Sequence, residues 1–195
     1  MSRTCLPNTR SNWWKSGSGR TTARAKPSAT TATAAATPSG EIAEGKPAPQ
    51  VRAKAHDGTE IDLTLLKGRP VVLYFYPKDD TPGCTIEACE FRDAESALQQ
   101  AGALVWGVSP DDQSSKAAFR DKFSLNFPIL SDLEHQVAEA YGVWGEKQMM
   151  GKSFMSTHRV TFLVNPEGRI ARVWESVTPT GHAAEVLTEI TSQRG

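Results

Sequence analysis

The chain has 195 residues, enough for one domain with a tail, and sets 22 basic against 22 acidic residues. That balance hides an asymmetry: residues 1–40 hold six basic residues and no acidic one, leaving 16 basic against 22 acidic over 41–195. An acidic domain argues against nucleic-acid binding through a broad basic face. Three cysteines are too few for a disulfide-stapled secreted scaffold, and no apolar run reaches the roughly 20 residues of a membrane-spanning helix.

Residues 1–41 are crowded with Ser, Thr and Ala and carry the basic excess. Such a stretch cannot bury enough apolar surface to offset chain entropy, so a disordered tail is expected, with the domain over 42–195. The tail lacks the apolar core of a secretory signal, and either a solvated extension or an organelle transit peptide has this composition. With few thiols and no secretory signal, the expected location is the cytoplasm, or an organelle if the tail is a transit peptide. Cys5 reads as an incidental thiol there.

Beyond the tail, residues 51–55 and 60–63 flank an Asp57-Gly58 turn signal and predict a hairpin. A single helical turn over 62–67 is stopped by Gly68 and Pro70. Residues 71–76 (VVLYFY) form a near-continuous apolar run, the mark of a strand buried on both faces. A helix over 84–100 follows, with Ile86, Ala88, Phe91, Ala94 and Leu98 at helical spacing and Gly102 as its stop. Residues 103–108 predict a second buried strand, and Ser109-Pro110-Asp111-Asp112 a cap for a helix over 113–123. A short strand over 127–130 and a short helix over 135–141 come next, and 143–157 read as loop. Runs 159–164 and 169–174 bracket Asn165-Pro166-Glu167-Gly168, a hairpin signal, before a closing helix over 181–193. This succession is an α/β fold, a central mixed sheet flanked by helices.

Cys84 stands where the first of these helices begins. Thiolate, not thiol, attacks peroxides and disulfides, and free N–H groups with the helix dipole stabilise negative charge at a helix start. Pro82-Gly83 ends any preceding helix and leaves room for close approach, and Thr81 offers a hydroxyl three residues upstream. The alternative is a small buried core cysteine; the polar loop 78–82 around it predicts exposure instead. Cys89 lies five residues on. On one regular helix the two Cα atoms would stand about 8.6 Å apart, beyond the roughly 7 Å that disulfides tolerate, so pairing requires local unwinding. The alternative is that Cys89 faces the core and never reacts. His56, His135, His158 and His182 are too isolated to complete a zinc site with these sulfurs.

Pro77, Thr81 and Cys84 match the PxxxTxxC motif of the peroxiredoxins. With Cys89, the segment YGVWGEKQMMGK from residue 141 and HRVTFLV from residue 158, the chain resembles the bacterioferritin comigratory protein group, or peroxiredoxin Q, from about residue 44 to 190. The resemblance implies a thioredoxin-like fold and a thiol peroxidase that reduces hydrogen peroxide and organic hydroperoxides. By it, Cys84 is the peroxidatic and Cys89 the resolving cysteine. Pro77 shields the pocket, Thr81 hydrogen-bonds substrate and thiolate, and Arg159 is the active-site arginine. It further implies a thioredoxin-like reductant, a monomer and no cofactor or metal. Asn165, where relatives carry Asp, is one departure. A redox sensor that oxidises once and stalls, or a structural protein indifferent to Cys84→Ser, are the rival classes.

Overall fold

A computed structural model describes residues 42–66, 68–149 and 151–193. The expectation of a disordered tail over 1–41, and the reading of Cys5, lie outside the described residues. The strands are β1 (Arg52–Ala55), β2 (Glu60–Asp62), β3 (Val71–Phe75), β4 (Leu104–Ser109), β5 (Ile129–Ser131), β6 (Trp144–Met149), β7 (Lys152–Thr157), β8 (Val160–Val164) and β9 (Ile170–Trp174). The helices are α1 (Pro82–Gln100), α2 (Gln113–Phe123), α3 (Gln136–Ala140) and α4 (His182–Ser192), with a 3-10 turn at Leu63–Leu66. Seven strands form one mixed sheet in the order β2-β1-β5-β4-β3-β8-β9. β3 is its axis, parallel to β4 on one side and antiparallel to β8 on the other.

The apolar run of β3 is buried at every position because both faces are covered. Val72, Tyr74 and Tyr76 point to one layer, packed with Phe91 and Leu98 of α1, Phe119 of α2, and Val186 and Ile190 of α4. Val71, Leu73 and Phe75 point to the other, with Val137 and Ala138 of α3 and Tyr141 beyond it. Each such side chain contributes about 2 kcal/mol on burial, so β3 is firmly anchored and the element after it inherits a fixed origin.

α1 starts on Pro82, whose missing N–H costs nothing at the first helical position. Its end is closed as expected at Gly102, with φ +72°: Gly102 donates to the Gln99 carbonyl at 2.7 Å and Ala103 to that of Leu98 at 2.9 Å. α2 is capped by Asp112, whose Oδ1 accepts from the Ser115 amide at 2.8 Å.

One expectation fails. Residues 143–157 hold a two-stranded antiparallel ribbon, β6 on β7, not a loop. Lys147, Gln148, Lys152 and Ser153 are exposed, so the ribbon is held by its backbone ladder and carries no alternating apolar signal. At its base, Trp144 stacks on His135 with ring centroids 3.6 Å apart, and the His158 amide donates to the Val143 carbonyl at 2.7 Å.

Candidate active site

β3 hands the chain to Pro77, and the loop from there leads into α1. The antiparallel register sets Phe75 against Val160, so Arg159, one residue before β8, stands beside the end of β3. The parallel register of β3 and β4 brings Ser109 to the same edge. Crevices at the carboxyl ends of strands are where open α/β sheets bind ligands.

Cys84 is the third residue of α1. The first helical bond runs from the Thr85 amide to the Thr81 carbonyl at 2.8 Å, so the amides of Gly83 and Cys84 precede the ladder. Arg159 closes the site from the opposite side. Its Nη2 donates to Cys84 Sγ at 3.1 Å, and its Nη1 donates to Glu87 Oε2. Cys84 and Glu87 are three residues apart on one helix face, which lets a single planar guanidinium reach both. Gly83 lies directly against this fork, its Cβ position 3.4 Å from Nη2.

Glu87 is fully buried and its Oε1 has no hydrogen-bond partner. Burial pushes its pKa up to about 7, against the pull of Arg159. Arg159 is itself partly desolvated, yet Glu87 and Cys84 hold its pKa above the usual arginine value. It is a permanent cation placed to stabilise negative charge on the sulfur. Sequence reasoning passed over Glu87 as one more polar helix residue. Its signal was its spacing: i+3 from the cysteine, on the stripe that Ala88 and Phe91 mark as inward.

One expectation needs correction. Cys84 is only 1 % exposed, packed in the layer of Tyr74, Tyr76 and Phe91. The polar loop before it faces solvent at Lys78 and Asp80, while the helix phase turns the sulfur inward. The Thr81 hydroxyl, at the N-cap of α1, donates to the Lys78 carbonyl at 3.1 Å. Pro77 is half-buried at the head of the loop.

Cys89 is half-buried on the same unbroken helix. Cys84 is a free thiol. Among the described residues no group of His, Cys, Asp and Glu is arranged to hold a metal, and no helix is long and apolar enough to cross a membrane. A groove lined by Ala48, Leu63, Leu66 and Val71 opens at the other end of β3, away from Cys84.

Residues 44–173 match the model of the AhpC/TSA family. The chain is 45% identical over 143 residues to peroxiredoxin Bcp of Bacillus subtilis, covering 73% of this chain and 91% of that one. It is 43% identical over 143 residues to peroxiredoxin Bcp of Escherichia coli K12, covering 73% and 92%. Among solved structures, the Xanthomonas campestris bacterioferritin comigratory protein superposes with a TM-score of 0.71 at 36% identity, covering 74% of this chain and 92% of that one. A cysteine-to-serine variant of Xylella fastidiosa PrxQ gives 0.76 at 32% identity, covering 80% and 99%. The fold is thioredoxin-like, as these neighbours are, and the chain belongs to the AhpC/TSA family as a peroxiredoxin of the Bcp and PrxQ kind, a thiol peroxidase that reduces hydroperoxides.

Proposed function

We propose that Cys84 is the peroxidatic cysteine and Cys89 the resolving one, with Arg159, Thr81 and Pro77 completing the site. The observation that carries this reading is the 3.1 Å contact of Arg159 Nη2 with Cys84 Sγ at the start of α1. The Cys84 thiolate attacks one oxygen of the hydroperoxide. The O–O bond breaks, the departing oxygen takes a proton and leaves as water or alcohol, and the sulfur becomes a sulfenic acid. Arg159 and the free amides of the first turn face the charge that develops in this step. Glu87, with a pKa near neutrality, holds or releases a proton beside the guanidinium.

In the second step the Cys89 thiol condenses with the sulfenic acid, expelling water and forming the Cys84–Cys89 disulfide. The cycle starts from protein in which both cysteines are thiols. α1 is regular across both positions, so an about 8.6 Å Cα separation has to shorten below about 7 Å, and part of the helix must unwind. An external dithiol returns both cysteines to thiols by exchange; thioredoxin, the reductant typical of the family, fits this role. Resolution within one chain supports a monomer, and dependence on a reducing dithiol supports a cytoplasmic protein.

Peptide mapping by mass spectrometry after one equivalent of peroxide, starting from fully reduced protein, tests the assignment. A Cys84–Cys89 link is expected, and Cys89→Ser should accumulate Cys84 sulfenic acid trappable by a dione probe. A link between Cys89 and Cys5, with Cys84 still a thiol, contradicts it.

A further inference from the structure

Lys116, on α2, has no part in the reaction just described, yet its side chain is completely buried. Its ammonium donates to Asp79 Oδ1 at 2.9 Å, to Tyr76 Oη at 3.2 Å and to Ser109 Oγ, and lies 3.7 Å from Asp111 Oδ2. These partners come from the end of β3, the loop before α1, the end of β4 and the segment after it. Burial pulls the lysine's pKa down, while Asp79, Asp111 and Cys84 push it back up. A buried charge is retained only where its partners are held in place, so the network fixes the loop as firmly as the loop fixes the lysine.

The clamp centres on Asp79, which sits between Pro77 and Thr81. Tyr76 Oη donates to its Oδ1 at 2.7 Å, Ser115 Oγ donates to its Oδ2 at 2.9 Å, and its own amide donates to Asp111 Oδ2 at 2.8 Å. The next residue, Asp80, has φ +55°, a left-handed conformation that a non-glycine residue holds only when its surroundings enforce it. A second α2 side chain, Lys122, donates to Asp80 Oδ2 at 2.6 Å. Thus α2 grips two successive loop residues, and Thr81, the N-cap of α1, follows directly.

We propose that Lys116 is a positioning residue for the reaction at Cys84: through Asp79 it holds the loop 77–81 in the one conformation that starts α1 with the sulfur against Arg159. The proposal rests on Cys84 being the peroxidatic cysteine. It also assigns a direction to the unwinding. The upstream side of Cys84 is anchored, so the helix opens downstream, toward Cys89.

The test is single-turnover oxidation of reduced protein by hydrogen peroxide, read as sulfenic acid at Cys84, together with the pH profile of Cys84 alkylation. Lys116→Met should oxidise about 10- to 100-fold more slowly, the scale of a misplacement near 1 Å, and its alkylation profile should move to higher pH. Ser115→Ala, which removes one hydroxyl from Asp79 and leaves the buried pair intact, should slow oxidation about threefold, a modest share of one hydrogen bond. A folded Lys116→Met that oxidises at the wild-type rate with an unmoved profile overturns the proposal. If Lys116→Met does not fold, Ser115→Ala at the wild-type rate does so. Wild-type protein that forms no sulfenic acid at Cys84 would instead overturn the underlying assignment.

Discussion

At the scale of single residues, the site is one guanidinium shared between a sulfur and a carboxyl. The Glu87 pKa near 7 makes a signed prediction. A carboxyl whose folded pKa lies above its unfolded value, here 4.5, stabilises the fold fully below the unfolded pKa. That contribution is lost as pH rises through the folded pKa, at about 7. The shift corresponds to on the order of 3 kcal/mol across the window. Urea unfolding at pH 4.5 and 7.5 should show the wild type losing stability over this range and Glu87→Gln losing distinctly less. Arg159→Lys makes a second prediction. Lysine keeps the charge but has no planar fork, so it cannot serve Sγ and Oε2 together. Single-turnover oxidation of Cys84 should slow about 100-fold, the scale of one lost charge-stabilising donor, with little change in fold by circular dichroism.

These residue-scale features were only partly legible beforehand. Cys84, Thr81 and Pro77 are marked by a linear motif, and Arg159 by the family resemblance alone. Their contacts are not, because burial depends on helix phase against the sheet. Cys84 and Glu87 turn inward together, and Lys116 is buried by an acidic partner 37 positions earlier in the chain. A charged residue on a helix reads as solvated until its partner is placed.

At the scale of elements, α1 carries the chemistry and β3 and α2 hold it. The Cys84–Cys89 spacing means that oxidation must exchange helical hydrogen bonds for a disulfide. Hydrogen exchange should therefore accelerate for the amides of residues 84–90 in the disulfide form, while β3 and β4 stay protected. Unchanged protection across α1 would contradict resolution by Cys89. The apolar runs of β3, β4 and β8 and the helix stop at Gly102 were readable because burial and capping write themselves into local sequence. The ribbon β6–β7 was not, since its stability comes from backbone pairing and the Trp144–His135 stack at its base. A polar strand pair outside the main sheet has no hydrophobic period to betray it.

At the scale of the whole molecule, mixed pairing assembles the site. An antiparallel β8 returns Arg159 to the edge from which β3 launches Cys84, and a parallel β4 brings Ser109 there as well. The alternation of strands and helices was enough to anticipate an α/β sandwich. The strand order was not in the local sequence, because it is decided by which faces cover which strands. Residues 44–173 carry the family match, and all of the proposed site lies within them. Removing residues 1–41 should leave the peroxidase kcat/KM within about twofold of full length; a loss of tenfold or more would place part of the function in the tail.

Peroxidase chemistry here requires that Cys84 be activated toward peroxide by its place at the head of α1 beside Arg159. The direct measurement is the second-order rate constant for hydrogen peroxide with Cys84 in the Cys89→Ser protein at pH 7, followed as sulfenic acid. The expected constant is at least a thousandfold above that of free cysteine, the scale of an activated nucleophile with preorganised charge stabilisation, and it is abolished in Cys84→Ser. A constant no greater than that of free cysteine would contradict this activation.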